Sequence, residues 1–118
     1  MSLRELFARV PSVRGDEARS LVNDGATLLD VREAEEWNAG HAPQATHLPL
    51  SRLADAARKL RSGRRIVVVC RSGNRSHTAT ARLRAMGYDA VNLAGGMRAW
   101  AGSGGQVVDR RGRPGAVV

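Results

Sequence analysis

Cysteine is nearly absent from this chain: Cys70 is the only one in 118 residues. One thiol excludes an intramolecular disulfide and the paired-cysteine spacings of structural zinc sites. Aromatic residues are scarce as well, at 3%, so a core must rest on Leu, Val and Ala, with Trp37 and Trp100 as its large pieces. Lys59 is the only lysine among 19 cationic side chains. No apolar run approaches the roughly 20 residues that cross a bilayer, and the amino terminus lacks the apolar core of a secretory signal. No metal site, no membrane association and a reducing, cytoplasmic setting are therefore the expectations.

What the chain does contain is ordinary for a globular domain: 42% hydrophobic and 25% charged residues, at a length suited to one core. The formal net charge is +8. Its arginines are scattered, with concentrations at Arg58 to Arg65 and Arg110 to Arg113, and neither an aromatic RNA-binding signature nor zinc-finger spacing accompanies them. Small anions fit that pattern better than nucleic acid. The organisation read from the sequence is an amino-terminal segment (1–10), a domain (11–107) and a flexible tail (108–118), with Gly- and Arg-rich sequence lacking periodicity from Gly102 onward.

Strand and helix patterns alternate along the domain. Asp16 to Asn23 has helical spacing, with Ala18, Leu21 and Val22 on one face and a stop at Gly25. Ala26 to Val31 reads as a strand, Glu33 to Asn38 as a helix, and Thr46 to Leu50 as a short or edge strand between prolines. Ser51 suits the N-cap of a helix from Arg52 to Arg61. Ile66 to Val69, Ser76 to Met86, Ala90 to Leu93 and Gly95 to Trp100 then give strand, helix, strand and short helix. The fold class expected is α/β, a central parallel sheet with helices on both faces, where ligands gather at the carboxyl ends of strands.

Cys70 occupies such an end. Ile66-Val67-Val68-Val69 is a β-branched run suited to a strand buried on both faces, and Arg71-Ser72-Gly73-Asn74-Arg75-Ser76 follows the cysteine directly. Helix-end amides lack partners inside the helix and carry the positive end of its dipole. Together with Arg71 and Arg75 they favour thiolate over thiol and would hold an anion. A lone cysteine commonly serves as a small core hydrophobe. Two Arg, a Gly, an Asn and two Ser in the next six residues have no purpose in a core, so the reading is a nucleophile, Cys70, in an anion-binding loop formed by Arg71 to Ser76.

Four segments in series resemble the rhodanese (sulfurtransferase) homology domain. They are Leu28 to Glu33 with Glu36-Trp37, Gly40-His41-Ala42-Pro43-Gln44-Ala45, Cys70 to Ser76, and Leu93-Ala94-Gly95-Gly96-Met97 with Trp100. The resemblance covers about residues 11 to 107. Ala42 stands where a larger aliphatic is usual and Gln44 where Gly is usual; the cysteine loop is untouched. The resemblance implies a thiosulfate sulfurtransferase of the single-domain kind, in which a persulfide on Cys70 carries sulfur from a small anionic donor to cyanide, a thiol or a protein acceptor, without metal or organic cofactor. It implies that Arg71 and Arg75 hold the donor and that the amides from Arg71 to Ser76 solvate the sulfur. The alternative is a persulfide carrier or interaction module loaded by a protein sulfur donor. Related phosphatases and arsenate reductases have a loop one residue longer with Arg six positions past Cys; here that position is Ser76.

Other polar residues have structural readings. Asp30 and Arg32, with Glu33, lie near a strand end as supporting residues, expected to brace the loop through an ion pair. His41 and His47 flank a Pro turn, and His77 stands near a helix start as a surface residue.

Overall fold

In the computed structural model, residues 10–118 are described; the expected amino-terminal pattern lies almost wholly outside them. Five strands form one sheet in the order β1-β5-β4-β2-β3, every neighbouring pair parallel. They are β1 (Ser12–Val13), β2 (Thr27–Asp30), β3 (Thr46–His47), β4 (Ile66–Val69) and β5 (Ala90–Leu93). The helices are α1 (Gly15–Asn23), α2 (Ala34–Ala39), α3 (Ala56–Lys59), α4 (Asn74–Ala85) and α5 (Gly96–Gly102), and a 3-10 helix spans Leu50–Asp55 before α3.

The β-branched run is central. All four residues of β4 are buried, pairing with β2 from Thr27↔Ile66 to Asp30↔Val69 and with β5 from Ile66↔Ala90 to Val68↔Asn92. Alternation then assigns side chains to two cores. Leu29, Ile66, Val68 and Ala90 meet Leu53, Ala79 and Leu83 on one face; Leu28, Val67, Val69, Val91 and Leu93 meet Ala18, Met97 and Trp100 on the other. Cys70 continues the odd-even pattern and belongs to the first face.

Four elements differ from the sequence reading. A two-residue strand is too short to leave a period, and β1 was not anticipated. The helix expected from Arg52 to Arg61 is instead a 3-10 helix opening at Pro49, whose carbonyl accepts from the Arg52 amide at 2.7 Å, followed by one α turn. Ser51 is therefore no N-cap. α4 begins two residues early, at Asn74, because its cap is Gly73 with φ 112°, a left-handed backbone open to glycine.

The fourth difference is the tail, which is not a loose end. The His41 and Val108 backbones exchange two hydrogen bonds of 2.8 Å, and the amides of Arg110 and Ala116 donate to the carbonyls of Asn38 and Ala39. Val108 is buried, and Val107 and Val117 pack on the second core. The hairpin tip closes when the Asp109 carboxylate accepts from the Arg111 and Arg113 amides at 2.8 and 3.0 Å. Backbone pairing and three valines order a segment whose composition alone reads as coil.

Candidate active site

Cys70 lies just past the carboxyl end of β4 and is 1% exposed. The chain turns there because Gly73 adopts a positive φ, and the amide of Gly73, the residue that caps α4, donates to Cys70 Sγ at 3.1 Å. Ser76 Oγ stands 3.3 Å from the same sulfur. Burial pushes the thiol up, but the hydroxyl and amide of Ser76 and the amides of Gly73 and Ser72 pull it down further, so Cys70 ionises below its ordinary value.

The loop is held from below by α5. The Met97 amide donates to the Cys70 carbonyl at 2.7 Å and the Arg98 amide to that of Arg71 at 3.4 Å. Gly96 permits this approach: a Cβ there would collide with the Cys70 carbonyl oxygen and with Arg71. The pair of glycines in the sequence is thus a support for the loop.

The two arginines are placed differently. Arg75 is clamped by Glu36 of α2, Nη1 to Oε1 at 2.6 Å and Nη2 to Oε2 at 2.7 Å. The bidentate bond and charge of Arg75 hold the Glu36 carboxyl below the usual carboxylate range, against the opposing effect of its partial burial. The Arg75 guanidinium is raised first by Glu36, and also feels the Cys70 sulfur. Arg71 enters none of the ion pairs of the described residues, and its Nε is buried without a hydrogen-bond partner among them. Ser72 and Asn74 point to solvent.

Asp30 and Arg32 are both fully buried and joined by Nε and Nη2 to the two carboxylate oxygens at 2.8–3.1 Å. Arg32 Nη2 also donates to the Gly40 carbonyl at 2.7 Å, tying the end of β2 to the turn after α2. These two brace the framework and do not touch Cys70. His41 and His47 both stack on Trp37, at centroid distances of 3.7 and 4.7 Å. Each donates a ring N–H to a carbonyl, His41 Nδ1 to Trp37 and His47 Nε2 to Arg32, both at 2.7 Å. His77 follows Ser76 in the first turn of α4 and is half-buried.

Two residues of the site were not singled out from sequence. Glu36 was visible only as part of the family-like segment. Asn92 of β5 is 4% exposed and accepts from Ser76 Oγ at 2.6 Å. A lone polar residue in the buried strand Ala90-Val91-Asn92-Leu93 was the available signal.

A cysteine at a strand end, cradled by helix-start amides with arginine beside it, is the arrangement the family comparison decides. The description "Rhodanese-like domain" matches residues 15–103. The chain belongs to the rhodanese-like domain family. A relative named thiosulfate sulfurtransferase GlpE, from Pseudomonas savastanoi pv. phaseolicola, is 36% identical over 95 residues, covering 80% of this chain and 87% of that protein. A putative sulfur carrier protein, YrkF of Bacillus subtilis, is 36% identical over 81 residues, 68% of this chain and 44% of the relative. Among solved structures, a rhodanese-related protein from Thermoplasma volcanium superposes with TM-score 0.76 at 30% identity, covering 83% of this chain and 97% of that one. This rhodanese-like domain therefore has the fold expected for its sequence, with the cysteine loop at the carboxyl edge of the sheet.

Proposed function

We propose that the protein is a sulfurtransferase that moves a sulfane sulfur from thiosulfate, or a similar small anionic donor, to cyanide or a thiol through a persulfide on Cys70. The observation that carries the reading is the buried sulfur with its ionisation favoured by the Gly73 amide and the Ser76 hydroxyl. The Cys70 thiolate attacks the outer sulfur of the donor; the new bond joins Sγ to that sulfur, the donor's S–S bond breaks, and its electron pair leaves on sulfite. The acceptor then attacks the terminal sulfur, and the pair of the Sγ–S bond returns to Cys70 as thiolate. Neither half-reaction needs an external oxidant or reductant.

Arg71 is the better placed of the two arginines to meet the donor, because Arg75 is already committed to Glu36. The charge of Arg75 still faces the sulfur and supports its ionised form. A reducing cytoplasm suits a thiol that must remain unoxidised between turnovers. Intact-mass measurement tests the reading: incubation with thiosulfate should add one sulfur, about 32 Da, localised to Cys70 and absent from Cys70→Ala. No mass change under turnover conditions would reject a persulfide route.

A second reading is favoured by one observation. The exposed Arg110 to Arg113 turn is hydrogen-bonded to the carbonyl of Asn38, two residues from the Glu36 that holds the cysteine loop. A cationic turn fixed there suits an acidic protein that hands over or collects sulfur. Loading by a cysteine desulfurase that is much faster than loading by thiosulfate would favour this carrier role.

A further inference from the structure

The Ser76 hydroxyl carries one proton and has three acceptors in reach: Asn92 Oδ1 at 2.6 Å, the Gly73 carbonyl at 3.2 Å and Cys70 Sγ at 3.3 Å. The shortest contact is to Asn92, within the normal O–H···O range. β5 is in register with β4 at Val68↔Asn92, so Asn92 lies on the face of the sheet that carries Cys70, beneath α4 and Ser76. Its amide oxygen is buried. When Ser76 serves Asn92, a protonated Cys70 can donate its S–H to the Ser76 oxygen. After that proton has left to water, the sulfur keeps the Gly73 amide, and the hydroxyl can turn to it only by leaving the Asn92 oxygen without its donor.

We propose that Asn92 is a positioning residue that acts through Ser76, competing with Cys70 for the hydroxyl proton. The thiolate then shares the Ser76 hydroxyl with Asn92 beside its backbone amides, and keeps more of its nucleophilicity than one with that hydroxyl to itself, at the cost of a somewhat higher midpoint of ionisation. Of the charged groups, Arg75 of α4 interacts with the sulfur, and it is in turn paired with Glu36 of α2 and feels Asp30 of the Asp30–Arg32 pair at the end of β2; Arg71 follows Cys70 in the loop. His77 follows Ser76 on α4, and α5 contributes Gly96, Met97 and the exposed Arg98. None of these groups is altered by a substitution at Asn92.

The inference rests on Cys70 as a nucleophile, and its test uses iodoacetamide alkylation across pH, which needs no sulfur donor; failure here is thus distinct from failure of the sulfurtransferase reading. Asn92→Leu, close in shape and without an acceptor, should lower the midpoint by about half a unit or more, because the hydroxyl is freed for the thiolate. The limiting rate of the ionised sulfur should fall by roughly threefold per unit of that shift. In a Ser76→Ala background the same substitution should leave the midpoint where it was. Asn92→Val, suited to a strand, is judged by the same criteria if the Leu variant does not fold by circular dichroism. An unchanged or raised midpoint in a folded variant, or an equal shift without Ser76, overturns the proposal.

Discussion

The Cys70 sulfur is buried, yet it ionises below its ordinary value because short donors outweigh desolvation. The alkylation rate should therefore rise through a midpoint below the unperturbed thiol value of about 8.5, and fall away on the acid side of that midpoint as the thiolate is protonated. A midpoint above that of an ordinary exposed thiol would show that burial wins. Arg71→Ala should raise the KM for thiosulfate about tenfold or more, the scale of a hydrogen bond to a charged group, with much less effect on alkylation by a neutral reagent. Steady-state kinetics with both arginine variants separates the two roles, since Arg75→Ala removes the partner of Glu36 as well as a charge near the sulfur. At this scale the nucleophile was legible because strand, thiol and loop are contiguous. Glu36 and Asn92 were not, since each meets the loop from a distant stretch of sequence: Arg75 lies 39 residues from Glu36, and Ser76 lies 16 from Asn92.

Elements were read well where the period ran long and poorly where caps decide. The run Ile66 to Val69 and the alternation of strands with helices placed β2, β4, β5 and α4 within a residue or two. The start of α4 was missed because its cap is a backbone conformation at Gly73 rather than a side chain, and the 3-10 helix was missed because Pro49, not Ser51, opens it. Gly73→Val puts a β-branched residue at φ 112°, so stability should fall by about 1–3 kcal/mol with loss of the low thiol midpoint, measured by denaturant unfolding and alkylation together. The α2–α4 clamp has its own pH signature. Glu36 ionises below an unfolded carboxyl, so its contribution to stability is present above about pH 4.3 and is lost as pH falls through the lower folded value. Glu36→Gln should remove that dependence, and the two proteins should converge in stability in strong acid.

For the whole molecule, the last fourteen residues belong to the fold. Truncation after Gly104 removes Val107 and Val117 from the second core and the buried Val108, and with them the backbone bonds to residues 38–41. The expected loss is about 2–4 kcal/mol, or roughly 10 °C in melting temperature for a domain of this size; an unchanged melt would restore the picture of a loose tail. Composition misled here because coil-forming glycine and arginine say nothing of a partner segment elsewhere in the chain.

The Met97 amide grips the Cys70 carbonyl. Cys70 packs in one core while Met97 packs in the other. The nucleophile's position is consequently a joint property of two hydrophobic layers on opposite faces of the sheet. Heat should leave no regime in which an intact fold carries a misaligned sulfur: thiol reactivity and ellipticity ought to vanish along a single curve.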